Sequence, residues 1–179
     1  QQFGTAINVA ISGYGIAFLR EAAERLAVDG ERPVLGLVEP GYLYLAATDD
    51  GAGTLRGNHR VQLAQGADIA LLGPEALRAR FPWLAVDDVK LGALGASGEG
   101  WFDAYALLQA LRSKGRSLGV EFRQARVDRF TSGKGATVAA AVLADGEKLA
   151  ARWFVCAAGT RTPALLRPLG LELPVVARK

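Results

Sequence analysis

The segment Arg152-Trp-Phe-Val-Cys-Ala-Ala-Gly159 restricts the possible folds of this chain more than any other. Its apolar run, residues 153–157, reads as a buried strand, and it ends on three small residues, Ala157, Ala158 and Gly159. A strand of this kind belongs in an α/β sheet, where ligands gather beyond the carboxyl ends of the strands. Small residues at that point remove side chains and let something large lie against the backbone. The pattern points to a bulky bound group rather than to a catalytic side chain.

The remaining pattern alternates helices and short strands. Ile7, Ile11, Tyr14, Phe18, Ala22 and Leu26 recur every three or four positions, with Arg20, Glu21, Glu24 and Arg25 opposite. This predicts an amphipathic helix over 7–26, capped by Thr5 and closed at Asp29-Gly30, with those six residues facing the core. Residues 34–39 and 42–46, around Pro40-Gly41, read as two strands joined by a tight turn. A helix over 48–65, a strand over 69–72 and a helix opened by Pro74 follow, then a strand over 89–96. Asp103 is a helix cap, Gly119 a stop, and Leu107, Leu108, Leu111 and Leu118 form the apolar stripe between them. Trp101-Phe102 reads as core packing, and Glu99 beside them has no evident role. Strands are expected over 120–122, 125–130, 136–144 and 148–151, the last two joined at Asp145-Gly146, with a helical turn over 163–169.

Composition excludes several classes. Net charge is +3, and the basic residues are interleaved with acids, so no basic stripe suited to nucleic acid is present. One cysteine and one histidine, Cys156 and His59, make neither a disulfide nor a Cys/His metal cluster. No apolar run approaches the ~20 residues of a membrane span. The chain begins with Gln1 and contains no methionine, which reads as a processed or cut piece; a cytoplasmic location is the expectation.

One motif imitates a dinucleotide fingerprint. Gly13-Tyr-Gly15-Ile-Ala-Phe18 follows an apolar stretch, and Glu39 lies where a ribose-binding acid belongs. Against this NAD-binding reading, Phe18 stands where the third glycine should be, and the helical stripe runs through the supposed strand and turn.

Three segments in this order carry a resemblance. They are Gly41-Tyr-Leu-Tyr-Leu-Ala46, then Gly98-Glu-Gly-Trp-Phe-Asp103-Ala-Tyr-Ala-Leu-Leu-Gln109, then Val155-Cys-Ala-Ala-Gly159 followed by Leu173-Pro-Val175. Together they resemble the D-amino-acid oxidase-type FAD-dependent oxidoreductases, which include sarcosine and dimethylglycine dehydrogenases and glycine oxidases. The resemblance implies a mixed α/β fold: part of a Rossmann-like FAD-binding sheet plus part of an antiparallel substrate lobe. Residues 1–33 and 101–170 would belong to the FAD-binding domain, 34–100 to the substrate lobe, and 171–179 to the start of its next strand. The family's pyrophosphate-binding turn is not in the sequence, so the chain reads as an internal piece, expected to bind FAD weakly and to be inactive alone.

The implied chemistry is hydride removal from a carbon bonded to nitrogen, in an amino acid or amine, to reduce FAD. The resemblance places Val127 against the adenine, Ala157, Ala158 and Gly159 beside the FAD, and Gln1 and Gln2 near the flavin ring. Tyr42 and Tyr44, alternating with leucines, would line the substrate lobe. Each has a plain structural reading as well: Val127 as a core strand residue, Ala-Ala-Gly as a tight strand exit, the tyrosines as sheet-surface aromatics, the glutamines as an unordered end. Arg161 departs from the aromatic the family often has there. The alternative function is a cofactor-free α/β binding or scaffold domain of the same ancestry. Exposed sheet edges and an apolar patch are expected to favour self-association.

Overall fold

Capping residues set the helix boundaries in the computed structural model, which describes residues 1–135 and 137–177. Thr48 Oγ1 accepts from Gly51 N at 3.1 Å and opens α2 (Asp49–Ala64), with Asp49 and Asp50 at its positive amino end. Asp103 Oδ1 accepts from Ala106 N at 2.9 Å and opens α4 (Ala104–Ser117). Pro74 starts α3 (Pro74–Arg80), where its missing N–H costs nothing. Thr5 stands at the cap of α1 (Ala6–Arg25), but its side chain makes no capping hydrogen bond.

α1 is one unbroken helix through Gly13 and Gly15. That excludes the strand and turn of the dinucleotide fingerprint. Its buried face also differs from the predicted one. Val9, Ala22 and the following Leu26 are buried, whereas Ile7, Ile11 and Tyr14 are 67%, 60% and 71% exposed. The amino half of α1 is apolar on more than one side, so periodicity alone does not choose a face. Contact with Ala67, Ile69 and Ala93 selects Val9. α4 behaves likewise: Ala110 is buried with Ala22, Leu26 and Leu35, while Leu108, Leu111 and Leu118 are exposed.

The chain divides into two compact units, Gln1–Glu121 and Phe122–Lys179. The first holds a three-stranded antiparallel sheet in the order β1 (Tyr42–Ala46), β3 (Leu91–Gly95), β2 (Ile69–Leu72). Every residue of the central β3 is buried. One face of the sheet packs Leu43 and Leu72 against α3 and the following loop, around the fully buried Leu77 with Val86 and Val89. Burying a leucine of this kind stabilises by about 1.5–3 kcal/mol.

The second unit holds an antiparallel sheet in the order β4 (Val127–Ser132), β5 (Val138–Leu143), β6 (Lys148–Leu149). The β5–β6 hairpin turns at Asp145-Gly146 as predicted, with Gly146 at φ 92° and Asp145 Oδ1 accepting from Glu147 N at 3.0 Å. Ala136, placed in this hairpin from the sequence, lies outside the described residues, as do residues 178–179. A short helix α5 (Thr162–Leu166) closes the unit.

Three predicted strands do not form. Residues 34–39 make only an isolated bridge, Val38 to Trp101, so there is no hairpin across Pro40-Gly41. Residues 120–122 and 153–157 are irregular. A strand needs a partner for its backbone groups, and 153–157 finds none among the described residues. Its Trp153 and Val155 are 84% and 92% exposed instead of buried. Trp101, expected in the core, is 57% exposed. The class is mixed α/β, with no parallel strand pair among the described residues.

Candidate functional site

The predicted site residues fall into two groups, one in each unit. In the first, β1 aligns Tyr42 with Gly95 and Tyr44 with Ala93, and β2 aligns Ile69 with Gly95. Directly paired residues share a face, so both tyrosines stand on the side opposite Leu43, as their alternation implies. They are about half exposed.

Gln1 and Gln2 are ordered against that same face. Gln2 Nε2 donates to Tyr42 O and Ala93 O, both at 3.3 Å, and to Glu99 Oε2 at 3.4 Å. The amino group of Gln1, the first residue of the sequence, pairs with Glu99 Oε1 at 2.5 Å. Further on, Gln62 Nε2 of α2 donates to Phe3 O at 3.2 Å, and Gly4 lies so close to Asn58 that a Cβ there would meet Asn58 Oδ1. Gln62 is buried, and its Oε1 has no hydrogen-bond partner among the described residues.

Glycines make this packing possible. A Cβ at Gly95 would overlap the Glu99 carboxylate, one at Gly98 would strike Gln1 Nε2, and one at Gly100 would strike Val38 O. Gly41, at φ 86°, lies under Gly95 O and donates its N–H to Glu99 O at 3.0 Å. The loop is held from outside as well. Tyr42 Oη donates to Gly100 O at 3.3 Å, and Gly98 N donates to Glu39 Oε2 at 2.9 Å.

Glu39 is therefore a structural acid. It receives a two-pronged contact from Arg20, at 2.9 Å from Nε and 2.5 Å from Nη2. Hydrogen bonding from that guanidinium holds its carboxyl below the usual carboxylate range, helped by Gly98 N against partial burial, and raises Arg20 in turn.

In the second unit, Val127 and the small-residue run do come together. A cleft of about 340 Å³ is lined by Val127, Phe130, Val155, Ala157, Ala158 and Arg161, with Ala125, Arg126, Cys156 and Leu165 completing it. Gly159 follows directly, at φ 55°, and begins a short 3₁₀ turn. Phe154 packs edge-on against Phe130 at 5.7 Å and holds the run to the sheet. The backbone groups of residues 154–157 make no backbone hydrogen bond among the described residues. Open backbone, small side chains and two arginines offer donors and acceptors to a planar base and positive charge to a phosphate. These residues fit one end of a dinucleotide. No group of acidic, His or Cys residues among those described is arranged to hold a metal ion, and no helix among them is long and apolar enough to cross a membrane.

A mixed α/β chain with a small-residue cleft of this kind falls within a known class. The sequence profile of the FAD dependent oxidoreductase family, DAO, matches residues 5–179, and the chain belongs to that family. It is 44% identical over 130 residues to the FAD-dependent oxidoreductase domain-containing protein 1 of Mus musculus, covering 73% of this chain and 27% of that protein. It is 39% identical over 138 residues to a D-amino acid dehydrogenase of Methylobacterium radiotolerans, covering 76% of this chain and 33% of that one. The L-proline dehydrogenase of P. horikoshii shares the fold with a TM-score of 0.75 at 18% identity, over 96% of this chain and 43% of that one. The chain thus spans about a quarter to a third of the curated relatives named here.

Sequence reasoning missed Glu99 and Gln62. The spacing Gly95-x-x-Gly98-Glu99-Gly100 was the available signal for Glu99, because an acid ringed by glycines in an apolar setting has been given room. Nothing marked Gln62 except that it is a polar residue on a helix whose other face is solvated.

Proposed function

We propose that the protein carrying this chain oxidises a C–N bond of an amino acid or a secondary or tertiary amine, with FAD as hydride acceptor. The observation that carries the reading is the meeting of Val127 with Ala157 and Ala158 in one cleft, in a member of an FAD-dependent family. In this reading Val127, Ala157 and Ala158 hold the adenosine end through backbone and small surfaces, with Gly159 giving the turn its freedom. Arg126 and Arg161 supply charge beside them. Gln1 and Gln2 present the backbone that passes the flavin ring, and Tyr42 and Tyr44 border the substrate side.

When bound, the flavin supplies the two-electron chemistry, and the protein supplies orientation and electrostatics. The chain's own part is to hold surfaces in place: the Gln2–Phe3 segment by Glu99 and Gln62, and the cleft wall by Phe130 and Phe154. The relatives' printed names, D-amino acid dehydrogenase and L-proline dehydrogenase, support an amino acid or amine as the substrate class.

The test is direct. The full gene product, purified, is expected to carry a flavin absorption spectrum that bleaches when D-amino acids, L-proline or sarcosine are added without oxygen. A colourless product that takes up no FAD on reconstitution refutes the reading.

A further inference from the structure

We propose that Arg126 and Arg161 bind the phosphate of an adenine nucleotide whose adenosine lies on the alanine wall of the same cleft. Where that nucleotide is part of FAD, the proposal rests on the reading of FAD as the cofactor.

The cleft of Val127, Ala157 and Ala158 does not end at its alanine wall. A second cleft of about 390 Å³ is lined by Arg126, Val127, Asp128, Arg161, Ala164 and Leu165. The two share Arg126, Val127, Arg161 and Leu165, so the depression has a small-residue side and a charged side. A base needs flat apolar walls and open backbone, and a phosphate needs cations. The two sides supply these separately. A simple carboxylate would suit the arginines but leave the alanine side empty, whereas a nucleotide occupies both.

The two arginines are unspent. Arg123 and Arg129, three residues to either side of Arg126, are taken by Glu147 at 2.7 Å and Asp128 at 3.0 Å. The side chains of Arg126 and Arg161 make no hydrogen bond or ion pair among the described residues. Their backbones are nonetheless held. Ala144 N donates to Arg126 O at 2.9 Å, and Arg161 N donates to Ala158 O at 3.1 Å in the 3₁₀ turn Gly159–Arg161. Two guanidinium groups are thus carried on fixed backbone with their donors unused, and such forks match the oxygens of a phosphate. The acid in the cleft wall, Asp128, is already answered by Arg129. The surrounding charge has the same sign as the arginines. Residues 122–179 carry ten arginines and lysines against four acids, a net +6, whereas residues 1–121 are net −3, so the field of this unit favours an anion. Both arginines are exposed, so their hold on a phosphate weakens as salt is added.

The experiment uses the full gene product, freed of flavin and titrated with ADP and with adenosine by calorimetry at low and high salt. Wild type is compared with Arg126→Met, Arg161→Met and Lys148→Met, the last removing the same charge from β6 outside the cleft. ADP is expected to bind wild type more tightly than adenosine, and only its affinity should fall with salt. Each arginine variant should weaken ADP about tenfold and leave adenosine unchanged. Lys148→Met should change neither. Equal losses of ADP and adenosine in the arginine variants, no loss of ADP, or the same loss in Lys148→Met overturns the proposal. If an arginine variant does not fold, wild type decides: ADP that binds no better than adenosine, or that ignores salt, overturns it. Titration of the FAD-loaded protein separates the two sources. ADP excluded by FAD identifies the cofactor's own phosphate, and ADP bound beside FAD with the same arginine dependence identifies a free nucleotide. A gene product that takes up no FAD but binds ADP through the arginines overturns the cofactor reading and keeps this one.

Discussion

Replacing Gly95 by alanine should destabilise the first unit, although local propensity argues the opposite. Gly95 lies in the central strand and is not in the left-handed region, so alanine meets no backbone strain. Lower chain entropy in the unfolded state would by itself stabilise by about 0.5–1 kcal/mol. The new Cβ, however, would overlap the Glu99 carboxylate and stand 3.1 Å from Ile69 Cδ1. The acid has little room to yield, because Gly41 N and Tyr42 Oη hold its loop. Displacing it breaks the ion pair with the amino group of Gln1 and the longer bond from Gln2. Hydrogen bonds to a charged group contribute about 1.5–3 kcal/mol each, the long one at the low end, so the net loss is about 2–4 kcal/mol. In a chain of this length that lowers Tm by about 5–15 °C. Urea and thermal unfolding can be followed by tryptophan fluorescence, since Trp83 and Trp101 lie in the same unit. The urea midpoint should fall with an unchanged slope. Adding Glu99→Ala removes the overlapping group, so the double variant should be less damaged than the sum of the two singles by more than about 1 kcal/mol. A Gly95→Ala protein as stable as wild type, or more stable, would refute the packing argument.

Other expectations follow from named contacts. Leu77→Ala leaves a cavity among Val86, Val89 and Leu43 and should cost about 2–5 kcal/mol, read as a lower urea midpoint. Glu39 titrates below its unfolded value, so its contribution is complete above the ordinary carboxylate range and is lost as pH falls through the lowered value. Arg20→Met should therefore flatten the acid limb of the stability curve; unchanged pH dependence would show that the pair contributes nothing. Ile7, Ile11 and Tyr14 form an exposed apolar row on α1 and should promote concentration-dependent association of the isolated chain. Light scattering should show larger species that Ile11→Glu reduces; a monodisperse monomer at high concentration contradicts this.

Features specified by a few adjacent residues were legible in the sequence. Pro74, Asp103 and Asp145-Gly146 each set an element boundary, and each element appears where expected. What depends on a distant partner was not legible. Residues 34–39 and 153–157 have strand composition, but strands form only where a neighbour accepts their hydrogen bonds. The exposed face of α1 was misread because apolar residues stand on two sides and only the sheet decides between them. Of the site, the alternation of Tyr42 and Tyr44 could be read directly. The link from Gln2 to Glu99 joins residues 97 positions apart and has no local signature.

The exposure of Trp153 gives the second unit an optical reporter. Its indole is 84% exposed, and it lies two residues, at most about 7 Å of chain, from Val155 in the cleft wall. Flavins absorb where tryptophan emits, so an FAD whose adenosine end fills that cleft would quench this residue by energy transfer. Trp83 and Trp101 belong to the other unit, and the difference between wild type and Trp153→Phe isolates the signal. Filling of the cleft can then be titrated by fluorescence without any turnover and without knowing the substrate.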